Sequence, residues 1–182
     1  MIGNDIIDLQ LSKTESNWQR RGWLAKLFCQ EEQSNIKTSE TPETLVWLYW
    51  SMKEAAYKIQ HRQTGKRSFA PAKLQCNLHD LNSDTATGRV TYEQNIYYTE
   101  SCITKDFIHT IAKLSQEIDP LNVIIGNKNA LTRYPHFALL KDSSNLPYIL
   151  DSPSGKAFIA SNSHHGKMEA VVFSLKEAII ER

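Results

Sequence analysis

No stretch of this chain approaches the apolar length of a membrane span, and no charged-then-apolar leader stands at its start. Charge of one sign is missing too. Lys+Arg 21 against Asp+Glu 20 leave a formal net charge of +1, which argues against a general nucleic-acid binder, since such proteins are clearly basic. Cysteine is scarce: Cys29, Cys76 and Cys102 are odd in number, far apart and without metal-ligand spacing. That speaks against a disulfide framework, and the expectation is three reduced thiols in a cytoplasmic protein. Repeats and low-complexity tracts are absent. What remains is ordinary globular composition, 41% hydrophobic and 23% charged over 182 residues, enough to bury a core as one domain or two small lobes.

Hydrophobic periodicity predicts a strand over residues 2–9, with Asp5 and Ile7 on one face and Ile6 and Asp8 on the other. Residues 16–29 carry Trp18, Trp23, Leu24, Leu27 and Phe28 at helical spacing, with Gly22 marking a break. Residues 30–40 are polar, a loop or a helix end followed by one. Thr41-Pro42 is a helix start, Thr as cap and Pro at the first position. The helix it opens runs to about Arg62, with Leu45, Leu48, Tyr49, Met52, Ala55, Ala56 and Ile59 facing inward. Strands are expected over 69–78, 88–98, 101–113 (one or two), 137–141, 147–150, 157–163 and 169–175. Residues 121–134 read as helix or loop. Asp119-Pro120 is the expected lobe boundary in an otherwise single domain spanning 1–182. The order of elements says α+β, antiparallel strands packed against a long central helix.

Two segments carry chemistry. Gly3-Asn4-Asp5-Ile6-Ile7-Asp8 puts an acid in an apolar strand, and Trp50-Ser51-Met52-Lys53-Glu54-Ala55-Ala56-Tyr57-Lys58 puts Lys-Glu and a second Lys in an apolar helix. Acids are rarely buried without a cation, so Asp5 and Glu54 in two core elements suggest a shared metal. Magnesium suits them, because it accepts one or two carboxylates together with water and substrate phosphates. Lys58 shares a helical face with Glu54; Lys53 points elsewhere, and a solvated or salt-bridged surface lysine is an equal reading of it. A third segment, Ala160-Ser161-Asn162-Ser163-His164-His165-Gly166-Lys167, offers hydroxyl, imidazole and ammonium donors for phosphate in Ser163, His164 and Lys167. Zinc on the two histidines is disfavoured, since adjacent side chains on an extended segment point to opposite sides.

In their order these motifs resemble those of the 4′-phosphopantetheinyl transferases, in particular the holo-acyl-carrier-protein synthase type. That family has a Gly-x-Asp-Ile motif, then Trp/Phe-x-x-Lys-Glu-Ala-x-x-Lys, and a Ser-His-Ser/Thr-Gly segment that binds the coenzyme A nucleotide. The resemblance implies a transferase-like fold and an Mg2+ ion on Asp5 and Glu54. It gives Lys58 a role at the phosphates and makes Lys66, Ser163, His164 and Lys167 coenzyme A contacts. The partner it implies is an acyl carrier protein, met by arginines of the first helix, here Arg20 and Arg21. The reaction it implies is transfer of 4′-phosphopantetheine from coenzyme A to a carrier serine, releasing 3′,5′-ADP, in fatty acid or polyketide biosynthesis. The serine proton would go to Glu54 or to a water on the metal.

Departures from the family stand out. Thr64-Gly65-Lys66-Arg67 has Arg67 where a second glycine is expected. In Lys141-Asp142-Ser143-Ser144-Asn145-Leu146-Pro147-Tyr148, Asn145-Leu146 replaces Gly-Lys, so the lysine of that turn is lost. Ile7 stands where two-lobed relatives carry a further acid, and Asp8 lies on the opposite strand face, as support only. The match in pattern covers residues 1–75 and 137–175, leaving 76–136 unassigned. The alternative function is a non-catalytic relative that binds coenzyme A or a carrier protein. The motifs leave open which carrier is used and whether the chain is a monomer or a trimer.

Overall fold

The computed structural model describes residues 1–116 and 120–178; the boundary expected at Asp119 lies outside them. The described residues fold as α+β, with two five-stranded antiparallel sheets and one long helix among them. β1 (Ile2–Asp8) is followed by three short helices, α1 (Leu9–Glu15), α2 (Trp23–Leu27) and α3 (Gln30–Thr38), and by the long α4 (Pro42–Thr64). A meander then runs through β2 (Gln75–Leu81), β3 (Thr85–Tyr92), β4 (Asn95–Ile103) and β5 (Phe107–Lys113). The second sheet is built from β6 (Asn122–Asn127), β7 (Phe137–Lys141), β8 (Pro147–Asp151), β9 (Lys156–His165) and β10 (Met168–Ala178). The strand orders are β1-β5-β4-β3-β2 and β6-β10-β9-β8-β7. No helix among the described residues is long and apolar enough to cross a membrane.

α4 carries the main core. Its expected inward stripe, Leu45, Leu48, Tyr49, Met52, Ala55, Ala56 and Ile59, is buried against Ile7, Val90, Tyr97 and Ile108. Side chains on this face remove apolar surface from water along the whole helix, which is the chief drive for its formation. The helix ends at Gly65, whose φ of 69° is the left-handed cap that glycine adopts at little cost. Strand and helix meet closely at Gly3, where an added Cβ would lie 2.0 Å from the Ala55 carbonyl oxygen.

β1 is an edge strand of its sheet, yet all seven of its residues are buried. Its outer amides are taken by side chains of β9 rather than by another strand. Asn4 N–H donates to Ser161 Oγ at 2.8 Å, Ile6 N–H to Ser163 Oγ at 3.0 Å, and Asp8 N–H to His165 Nδ1 at 2.9 Å. Alternate residues on one face of β9 thus match alternate amides of β1, because both strands have a period of two. This ladder joins the two sheets.

Several local expectations are corrected. The break expected at Gly22 is present, but residues 16–22 form no helix. Gly22, with φ at 79°, starts α2, and Arg20 and Arg21 lie in the turn before it, off any helix. The polar stretch 30–40 is largely helix, held by a capping box in which the Glu32 carboxylate accepts from the Cys29 N–H. Thr41 makes no side-chain cap bond; its own N–H goes to Ser39 Oγ. Strand begins only at Gln75, after a 3-10 turn at Pro71–Lys73. The 88–98 stretch is split by a turn in which Glu93 takes φ 54°. Residues 121–134 form β6 and a 3-10 turn at Ala130–Arg133.

Candidate active site

β1 and α4 bring Asp5, Glu54 and Lys58 together. Lys58 Nζ donates to the Asn4 carbonyl at 2.6 Å and stands 3.6 Å from Asp5 Oδ1. Ser163 Oγ, already accepting from Ile6, donates to the same Oδ1 at 2.9 Å. Asp5 Oδ2 is buried and has no hydrogen-bond partner among the described residues. A buried carboxylate oxygen without a donor is costly and is the feature a cation would relieve. Glu54, half-buried, has its pKa pushed up to about 7 by burial and then by the Asp5 charge, against the opposing pull of Lys58. Two mutually repelling carboxylates with a free oxygen fit a hard divalent ion such as magnesium. Among the described residues no group of three or more His, Cys, Asp or Glu gathers as a metal site, so among them these two acids are what could hold an ion there.

Beside Lys58 opens a cleft of about 240 Å³, lined by Lys58, His61, Arg62, Lys141 and His164 among others; among the described residues no acid lines it. His61 and Arg62 follow Lys58 at helical spacing and so share its face. Arg62 reaches to the second sheet, where Nη2 donates to the Pro147 and Ala160 carbonyls at 2.8 Å each, and burial lowers its pKa. The apolar Leu146 of the departed turn also lines the cleft, so cationic character there comes instead from Lys58 and Arg62 of α4 and from Lys141 of β7.

The remaining expected residues divide. Lys58 and His164 line the cleft, whereas Ser163 faces β1 and Asp5. Lys66 is exposed beyond the end of α4, and Lys167 is exposed in the β9–β10 turn; neither lines the cleft. The backbone N–H of Lys167 reaches Asp8 Oδ2 at 3.3 Å. Asp8 itself caps α1. Burial pushes its pKa up, but amide bonds from Leu11, Lys167 and Gln10 outweigh this and hold it low. The two histidines diverge as strand geometry requires, with His164 at the cleft and His165 between the Asp8 amide and Glu15, 3.4 Å from its carboxylate. Lys53 is no surface residue. It is fully buried, paired with Glu32 at 2.7 Å and donating to the Leu27 and Pro71 carbonyls.

Residues 1–112 match the family model described as the 4′-phosphopantetheinyl transferase superfamily, and the chain belongs to that family. The match runs past residue 75, where the motif resemblance was expected to pause, and ends before the 137–175 segment. Among solved structures, the holo-[acyl-carrier-protein] synthase of Thermotoga maritima aligns at 13% identity with a TM-score of 0.45, covering 80% of this chain and 83% of that one. Comparison with curated proteins gives no match.

Proposed function

We propose that this protein transfers 4′-phosphopantetheine from coenzyme A to a serine of an acyl carrier protein and releases 3′,5′-ADP. The observation that carries the reading is the continuity of a cationic cleft with the Asp5–Lys58–Glu54 group. A phosphate-rich ligand lying in the cleft would bring its diphosphate to Lys58. In the reaction the serine Oγ bonds to the phosphorus carrying pantetheine, and the bond from that phosphorus to the oxygen bridging to 3′,5′-ADP breaks. The proton leaves for a base, which would be the Glu54 carboxylate or a water held beside it. Asp5 and Glu54 would hold Mg2+, which supplies neutralisation of diphosphate charge. Lys58 adds a fixed positive charge for the leaving nucleotide. We take the chain as one domain, supported by the β9–β1 ladder, and as cytoplasmic, on its cysteine usage.

The test is the mass of an apo acyl carrier protein after incubation with this protein, coenzyme A and Mg2+. A gain of one phosphopantetheine is expected. Asp5→Ala and Glu54→Ala should each lower the rate a hundredfold or more while leaving the fold intact, since each removes charge stabilisation of the transition state. Coenzyme A binding without any mass gain would favour the non-catalytic alternative.

A further inference from the structure

Asn4, the residue before Asp5, is fully buried, and each of its polar bonds goes to a different element. Its N–H goes to Ser161 on β9 and its carbonyl accepts from Lys58 on α4. Its Nδ2 donates to the Ala170 carbonyl on β10 at 3.1 Å and lies 3.2 Å from His109 Nε2 on β5. The Ala170 bond fixes which end of the amide is nitrogen, so Nε2 of His109 must be the acceptor and its ring proton sits on Nδ1. His109 is buried, and burial followed by the nearby Lys58 charge lowers its pKa to about 4, keeping the ring neutral at physiological pH.

We propose that His109 and Asn4 are positioning residues for the transfer reaction, the neutral imidazole holding the Asn4 amide and the Asn4 carbonyl holding the Lys58 ammonium at Asp5. The inference rests on the transferase reading. An ammonium has three hydrogens. One goes to the Asn4 carbonyl, and Asp5 Oδ1 pairs with the charge at 3.6 Å, so hydrogens remain that a phosphate oxygen of the substrate would take. The Asn4 peptide must not rotate for that arrangement to persist, and its side chain is anchored on both sheets at once. The register of β1 is already set by its pairs with β5 and by the β9 ladder, so this pair adds little to strand placement. A displacement of about 1 Å at a reacting group costs up to a hundredfold in rate.

The experiment compares Asn4→Val, His109→Leu and His109→Gln, the last keeping an acceptor where Nε2 stood. Turnover of apo carrier should fall ten- to a hundredfold in the first two and stay within threefold of wild type in the third. The Kd for coenzyme A should stay within threefold throughout. Thermal unfolding reports folding, and if His109→Leu does not fold, His109→Met, which also lacks the acceptor nitrogen, carries the same prediction. Folded Asn4→Val and His109→Leu proteins with wild-type turnover would overturn the inference and leave the transferase reading standing. A wild-type protein that binds coenzyme A but transfers nothing sinks that reading, and this inference with it.

Discussion

Glu54 and His109 are displaced from their ordinary pKa values in opposite senses, Glu54 up to about 7 and His109 down to about 4, both chiefly by burial. The folded protein therefore keeps a proton on Glu54 that the unfolded chain releases, and stability from this source falls as pH rises through the window from the ordinary carboxylate value to about 7. His109 works the other way. The unfolded chain gains a proton that the folded protein refuses, so stability falls as pH drops from about 6.5 to about 4, by roughly 3 kcal/mol at most. The two windows overlap and oppose each other. Without metal, the wild-type unfolding free energy should thus change little between pH 4 and 7. Glu54→Gln should show stability rising with pH, and His109→Gln should show it falling, by less because Glu54 is partly exposed. Denaturant titrations at three pH values decide this, and parallel profiles for the two variants would refute it. Asp5, Glu54 and Lys58 were legible in the sequence because polar residues interrupt apolar patterns there. The partnership of Asn4 with His109 was not, since it joins strands far apart in the chain.

Among the elements, α4 was the most readable, through its Thr-Pro start, its apolar stripe and its Gly65 end. α3 was hard to read because its nine residues are mostly polar, with Ile36 its single apolar core residue and Glu32 buried only through Lys53 on another helix. The turn at Glu93 was hidden for another reason: nothing but a left-handed glutamate marks it. Arg62 belongs to the cleft only because β8 and β9 come against the end of α4, which no local pattern announces. The buried Glu32–Lys53 pair ties α2, α3, α4 and the segment before β2 together. Lys53→Met should cost about 3–5 kcal/mol by leaving the buried carboxylate without its cation, and Glu32→Met added to it should restore only part of the loss, since the Cys29 and Cys76 amides then lose their acceptor. Equal unfolding midpoints for the single and double variants would contradict this. The turn between α1 and α2 belongs to the same scale. Arg20 and Arg21 are exposed there, and a loop presents both charges more freely than one helix face would. Arg21→Glu should weaken carrier affinity, flatten its salt dependence and leave coenzyme A binding unchanged. An equal loss of coenzyme A affinity would assign this turn to the nucleotide site.

At the scale of the whole molecule, the α+β class and the family were readable from motifs, but the division into two sheets was not. It depends on side chains, not a strand, completing the outer edge of β1. Ser161→Ala with Ser163→Ala should leave two β1 amides without partners, costing about 1–3 kcal/mol each. Hydrogen exchange at the amides of Asn4 and Ile6 should quicken more than at β5. Unchanged protection at those two positions would show that the sheets are held together by other means.

The same ladder has a consequence for how the chain is made. Asn4 and Ser161 are separated by 157 positions, so β1 leaves the ribosome well before the side chains that complete its edge. Synthesis at about 5–20 residues per second leaves this strand edge unfinished for many seconds. Throughout that interval it is a template for any other extended segment. The exposed edge closes only once residues 161–165 have been made, so the strand that carries Asp5 waits on support encoded far downstream of it.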